Sequence, residues 1–444
     1  MTSFSRRDFM KSSLIATSGA ALISAMPQVI SAQVKPAPST LRFGVNYVPR
    51  KNWLFCWQDW DKQSVVEDLE VVRSLGMDHI RAHCLWPIFE PGINYVSERA
   101  LDHVNDLMDA ADRADLDVEL TVLSGWMSGS AYMPAWTMPL KTDHNVFVNP
   151  DVIGGEKLLF KKLADVVSRH KRFMGFDIGN EMSVLLGRGN KITPDQATAW
   201  TNEMFDYLDG IAPGKFHVNG LDHTVWWTDI AFTRPLVANT GAASIVHSYP
   251  YFSGALKRYG YDGVGTLHLV EYNAELAYAY QKDLGRRVWV EEIGATPEWM
   301  PETYMPEYAK LVLHNAADTG SLWGFTWWCS HDIDPNIKSF QSLEYKLGLI
   351  DVNNHVKPFG RAIASLAKEL RSQTYSSLQR KLALVIPDSG LGQDPDWTYA
   401  TAFMNLVEKR QKPCIVIESR SKDEDYLRAR GITELIPVSD AAKV

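Results

Sequence analysis

The sequence predicts an α/β chain built as a (β/α)8 TIM barrel with a small C-terminal βαβ-type unit. Three observations carry this. Between Leu41 and about Thr374, eight short apolar segments rich in Val, Ile and Phe alternate with segments of helical periodicity. Most of these runs are continuously apolar, as strands covered on both faces are. No Gly-x-Gly-x-x-Gly follows the first strand, so the usual mark of an open doubly wound sheet is missing.

The expected strands are, in order, Leu41–Val48, Met77–Leu85, Leu116–Ser124, Phe173–Glu181, Lys215–Gly220, Ala243–Tyr249, Arg287–Glu292 and Ser321–Trp328. Between the first two, Val65, Leu69, Val72 and Leu75 recur every three or four residues, and Gly76 supplies a stop. Leu101, Val104, Leu107 and Ala111 repeat the spacing. Leu159, Leu163 and Val167 do so again, as do Trp200, Met204 and Leu208. After Ser376 the character changes. Lys381–Pro387, Pro413–Glu418 and Glu434–Val438 read as strands, and Trp397–Arg410 and Asp423–Arg430 as helices. The expected organisation is therefore a leader over 1–32, a linker over 33–40, a barrel over 41–375 and a small α/β unit over 380–444. Gly390-Leu391-Gly392 continues into Gln-Asp-Pro rather than opening a helix, and reads as a turn rather than a phosphate loop.

The chain carries a formal charge of −8, and loss of residues 1–32 (Arg6, Arg7, Lys11 and Asp8) makes it more negative by two. An acidic surface argues against nucleic acid or an anionic membrane as partner. Cys56, Cys84, Cys329 and Cys414 show no Cys-x-x-Cys spacing and make no zinc or iron–sulfur signature. Free buried thiols are expected, a Cys56–Cys84 disulfide being the alternative. No metal or cofactor is called for; His331-Asp332-Ile333-Asp334 reads as a polar loop.

Ser5-Arg6-Arg7-Asp8-Phe9-Met10-Lys11, an Ala/Ser-rich stretch from Ser13 to Met26, and Ile30-Ser31-Ala32 resemble a bacterial twin-arginine signal peptide with its cleavage site. The resemblance implies the Tat translocon as partner during export and a periplasmic or secreted mature protein. No later stretch reaches the roughly 18 apolar residues of a membrane span.

In a parallel barrel the C-terminal strand ends converge on one mouth. The second strand brings Arg81 there, the fourth Asn180 and Glu181, the sixth His247 and Tyr249, the seventh Glu292, the eighth Trp327 and Trp328. Two carboxylates at buried strand ends are costly without a purpose, and facing carboxyl groups are the usual means of cleaving a glycosidic bond. Glu291 is the alternative to Glu292. If Glu292 faces the mouth, strand alternation turns Glu291 away and obliges it to find a structural partner. The same alternation admits only one of Trp327 and Trp328. Arg81 has two candidate partners, Glu292 and Asp177. Fifteen tryptophans, many near strand ends, suit the apolar faces of sugar rings.

Gly179-Asn180-Glu181, Glu292-Ile293-Gly294, Arg81, His247-Ser248-Tyr249 and the eighth-strand Trp, in that strand order, resemble glycoside hydrolase clan A and family 5 in particular. The resemblance covers 41–375. It implies a retaining β-glycosidase with Glu181 as acid/base and Glu292 as nucleophile, the two about 5–5.5 Å apart. Tyr249 would then hydrogen-bond the nucleophile, Asn180 a 2-hydroxyl of the sugar, and His247 the acid/base or a sugar hydroxyl. One departure stands out: the family's His near the end of the third strand is replaced here by a region containing Trp126, with His83 as a partial substitute. Asn46-Tyr47-Val48-Pro49-Arg50, Trp57 and Gly125-Trp126-Met127-Ser128-Gly129 are similar to a branch that includes β-mannosidases. The implied substrate is an oligo- or polysaccharide of β-mannoside or β-glucan type. The rival readings are a catalytically inactive carbohydrate-binding barrel and a cofactor-loaded redox enzyme.

Overall fold

The computed structural model describes residues 40–138, 144–338, 340–390 and 397–441. The expected export leader at 1–32, most of the 33–40 linker, and Leu391 and Gly392 lie outside the described residues. Eight parallel strands form one sheet: β1 (Arg42–Tyr47), β2 (His79–His83), β3 (Asp117–Leu123), β4 (Phe173–Asn180), β5 (Val218–Gly220), β6 (Ser244–Ser248), β7 (Val288–Ile293) and β8 (Leu322–Trp327). The ladder runs β5-β4-β3-β2-β1-β8-β7-β6. Its two ends meet where the Ala242 N–H donates to the His217 carbonyl at 2.7 Å. The result is a (β/α)8 barrel, with every expected strand in place.

A helix follows each strand: α1 (Lys62–Ser74), α2 (Glu98–Ala114), α3 (Pro150–Val167), α4 (Pro194–Ile211), α5 (Arg234–Asn239), α6 (Leu269–Ala279), α7 (Met305–Ala317) and α8 (Pro358–Arg371). Their starts are written locally. Asp61 caps α1, Ser97 caps α2 and Asn149 caps α3, each accepting from a first-turn N–H. Thr193 and Gln196 form a capping box on α4, with Pro194 at its first position. Gly76, at φ +75°, supplies the left-handed residue that stops α1.

The barrel axis is layered by chemistry. Trp289, Trp323 and Phe216 plug the N-terminal end, with ring centroids 4.8–5.9 Å apart. Above them the interior turns polar. His79 shares Thr326 Oγ1 with the Trp289 indole, and Glu119 is wholly buried with neither carboxyl oxygen hydrogen-bonded among the described residues. Burial, then the charges of Asp177 and Glu291, hold the Glu119 carboxyl well above the usual range.

The C-terminal residues form β9 (Leu382–Ile386), α9 (Trp397–Glu408), β10 (Pro413–Ile417), α10 (Glu424–Ala429) and β11 (Glu434–Pro437), a parallel sheet in the order β10-β9-β11. It is fixed to the barrel by buried ion pairs. Arg380 meets Glu271 at 2.6 Å and Glu275 at 3.5 Å, and Arg430 meets Glu275 at 3.1 Å. Both acids lie on α6. Breaking a buried pair leaves a desolvated charge behind. Glu275→Ala is therefore expected to cost about 3–5 kcal/mol in urea unfolding; a cost under about 1 kcal/mol, the range of surface pairs, would refute the anchoring role.

All four cysteines are buried and free, so Cys56 and Cys84 are not joined. Asp332 is paired with Lys357 at 2.9 Å, and His331 with Ser330 and Asn354. No helix among the described residues is long and apolar enough to cross a membrane.

Candidate active site

The mouth is organised around Arg81, which is completely buried at the C-terminal half of β2. Its fork reaches three other strands, β1, β4 and β7. Nη1 donates to Glu292 Oε1 (2.7 Å) and Asn46 Oδ1 (3.1 Å), and Nη2 to Asp177 Oδ2 (2.6 Å) and Asn180 Oδ1 (2.8 Å). Nε adds Asp177 at 3.1 Å and stands 3.3 Å from Glu291 Oε1. Burial works against the guanidinium charge, but Glu291, Asp177 and Glu292 keep it firmly protonated. Both candidate partners are thus engaged at once.

Gly220, ending β5, makes room for this cluster. A Cβ there would sit 2.5 Å from Arg81 Nη2 and 2.7 Å from Glu291 Oε2. Its N–H donates to Asp177 Oδ1 at 2.7 Å, and its carbonyl accepts from the Glu181 N–H at 2.7 Å. That second bond holds Glu181 in the left-handed region, at φ 51° and ψ 38°, so that the chain turns sharply as β4 ends.

The turn brings Glu181 to His247. His247 Nδ1 lies 3.0 Å from Glu181 Oε1 and 3.5 Å from Glu292 Oε2, and Nε2 lies 3.0 Å from Glu291 Oε2. Burial alone would discharge this imidazole, yet Glu292, Glu181 and Glu291 around it raise it to about 10. Tyr249 donates its hydroxyl to Glu292 Oε2 at 2.7 Å, so Glu292 is held by a cation on one oxygen and a phenol on the other. Glu181 is raised above the usual carboxylate range, first by burial and then by the charge of Glu292, with the His247 bond opposing. Glu181, His247 and Glu292 offer ligating atoms all within 4.8 Å of one another, the one such trio among the described residues.

One expectation is corrected. Glu291 does not turn away from the interior: it lies there beside Glu292, between Arg81 and His247. The cause is an irregular register on both sides of β7. Val246 pairs with Val290 but His247 with Glu292, and Phe325 pairs with Val290 but Trp327 with Ile293. The extra residue breaks alternation and lets successive glutamates face inward. The structural partners required of Glu291 are present.

Of the eighth-strand tryptophans, Trp328 reaches the mouth, its ring 5.7 Å from His83. Trp327 does not. It packs on Phe359 of α8, because alternation sends it to the helix layer. Trp126 is half-buried on the rim; its carbonyl accepts from Asn180 Nδ2 at 2.7 Å, and Arg188 lies over its ring at 4.2 Å. His83 shares Asn46 Oδ1 with Arg81; burial and the charges of Arg81 and His247 hold it well below the usual histidine range. Asn46, which also donates to the Glu291 carbonyl at 3.0 Å, and Ser128 lie in segments singled out only for their similarity to the β-mannosidase branch, with no place in the site expected of them; Glu344 had no sequence signal at all.

A carboxylate just past β4 and another at the end of β7, facing each other in the mouth of such a barrel, are the arrangement that cleaves glycosidic bonds. No family model and no curated protein matches the chain. Solved structures do. A GH5_18 protein from Streptomyces cattleya, in complex with GlcNAc, is 35% identical over 91% of this chain and 100% of its own, with a TM-score of 0.86. A GH5_18 protein from Bifidobacterium longum subsp. longum is 30% identical over 90% of this chain and 97% of its own, at 0.82. An exo-β-1,4-mannosidase from an Opitutaceae bacterium, 22% identical over 85% of this chain and 69% of its own, shares the fold at 0.71. The chain belongs to glycoside hydrolase family 5, with the GH5_18 proteins.

Proposed function

We propose that the protein is a retaining β-glycosidase that removes a terminal β-mannosyl residue, with Glu292 as nucleophile and Glu181 as acid/base. The observation that carries this is the spacing. An oxygen of Glu181 and one of Glu292 lie within 4.8 Å. Retaining enzymes hold these groups about 5–5.5 Å apart, whereas inverting ones leave about 6.5–9.5 Å for a water. In the first step Glu292 bonds to the anomeric carbon while the Glu181 proton passes to the departing glycosidic oxygen. In the second, Glu181 takes a proton from water, the oxygen of that water bonds to the anomeric carbon, and Glu292 is released. Arg81 and Tyr249 aim the nucleophile, and His247 orients the acid.

Two supports bear on the substrate. Variants of the Streptomyces and Bifidobacterium proteins, each with a glutamate replaced by alanine, were solved with Manβ1-4GlcNAc. Here one side of the mouth is walled. Trp53 after β1 packs on Tyr132 after β3 (5.5 Å) and on Phe340 after β8 (4.7 Å), tying three loops together. A walled mouth admits the end of a saccharide rather than its middle. Incubation with Manβ1-4GlcNAc, manno-oligosaccharides and cello-oligosaccharides is expected to release mannose singly from the first two. A ladder of internal fragments, or preference for the glucan, would overturn this reading. Activity should fall at a pH above the ordinary carboxylate range, as the raised Glu181 loses the proton that the first step consumes.

A further inference from the structure

Glu344 sits on the short 3-10 turn Ser342–Lys346 in the loop after β8. It is 7% exposed, and its Oε2 is fully buried with no hydrogen-bond partner among the described residues. Beside it, on a different loop, the Ser128 hydroxyl is in the same condition. Ser128 occupies a left-handed position, φ 47°, in the tight hairpin Trp126–Ala131 after β3. The hairpin abuts the β8 loop: a Cβ on Gly129 would lie 3.5 Å from Gln341 Nε2. The Ser128 hydroxyl and the Trp328 indole stand alongside the Glu344 carboxyl, without giving Oε2 or Ser128 Oγ a bond of proper geometry.

Three facts tie this pair to the reaction centre. Glu344 is close enough to Glu292, Glu181 and Tyr249 for its charge to act on each. Burial first, then those two glutamates, push its carboxyl up to about 7. The turn that carries it is rigid, with Tyr345 donating to the Ile337 carbonyl at 2.5 Å and its ring 6.1 Å from Phe340 in the aromatic wall. A buried polar atom without a partner costs about 1–3 kcal/mol, a cost that is recovered when a ligand supplies the missing bond. Sugar hydroxyls, which both donate and accept, suit a carboxyl and a serine together. On the proposed function, the walled side is where the sugar at the chain end would sit. On the same reading, the side where Tyr251 and Phe252 are about half exposed beside Trp299 is left for the departing group.

We propose that Glu344, with Ser128, is a specificity-determining pair that binds hydroxyls on the edge of the terminal sugar remote from its anomeric carbon. This rests on the retaining-glycosidase reading above. The test uses aryl β-mannosides, intact or singly deoxygenated at C3, C4 or C6, with the full-length enzyme and its Glu344→Gln and Ser128→Ala variants. Wild-type kcat/KM should fall about 10–100-fold when the bound hydroxyl is removed. Glu344→Gln should lose a comparable factor on the intact sugar but little more on that deoxy sugar. Losses that simply multiply on every deoxy sugar, or an unchanged kcat/KM on the intact one, overturn the assignment. Equal thermal unfolding of the variants and wild type separates binding from misfolding. A wild type inert on every aryl β-glycoside would instead refute the underlying function, and this inference with it.

Discussion

Glu292→Ala is expected to lower turnover of an aryl β-mannoside by about 10⁵–10⁶-fold, the scale on which a covalent nucleophile acts. The same truncation at Glu181 is expected to cost about 10²–10⁴-fold, least with leaving groups that need no proton. Added azide separates the two roles by stereochemistry. In Glu292→Ala it enters the space vacated on the nucleophile's face and attacks the anomeric carbon directly, giving the α-mannosyl azide. In Glu181→Ala it attacks the mannosyl-enzyme from the face the aglycone left, giving the β-mannosyl azide. Wild-type rates in either variant would remove the assignment, and exchanged azide products would invert it. Glu291, held in the interior by Arg81 and His247, has no comparable place at the anomeric carbon.

Arg81→Ala is expected to cost about 3–5 kcal/mol of stability, because Asp177, Glu291 and Glu292 are left as a buried acidic cluster. Lysine should not rescue it, since one ammonium cannot span acceptors on three strands as the guanidinium fork does. The loss should depend on pH in a definite sense. Asp177 is already raised to about 6, by burial and then by Glu291, against the pull of Arg81. A carboxyl whose folded pKa exceeds its unfolded value favours the fold below the unfolded value, near 4, and withdraws that support as pH rises through the folded one. Without Arg81 the folded value climbs further, so the variant should lose most above pH 7 and approach wild type towards pH 5. Urea unfolding at pH 5 and 8 measures the difference. A cost that is equal at both pH values would show that the cluster does not carry ionised carboxylates.

The barrel was legible because its strands are buried on both faces and its helices repeat apolar residues every three or four positions, as at Val65, Leu69, Val72 and Leu75, signals that need no knowledge of what packs where. Glu181 and Glu292 were legible for the same reason: a charge at the end of a buried run stands out. Arg81 posed a choice between Asp177 and Glu292 that the structure dissolves, since a guanidinium has enough N–H groups for both. Glu291 was misjudged because alternation presumes a regular ladder, and nothing in Val-Trp-Val-Glu-Glu announces that both neighbouring registers slip. The Trp327/Trp328 choice is of the same kind, as both are apolar and both are buried. Glu344 and Ser128 belong to loops, where no periodicity reports which way a side chain faces. Only the tertiary contact between two loops makes them a pair.

The left-handed backbone at Glu181 has an implication for how this protein can change. A side chain in that conformation costs about 1–2 kcal/mol relative to glycine, and the cost falls on the proposed acid/base. Thermal endurance and turnover therefore pull in opposite directions at one position. Selection for heat resistance alone would favour glycine or asparagine there, and would trade a working catalyst for a sturdier sugar-binding shell.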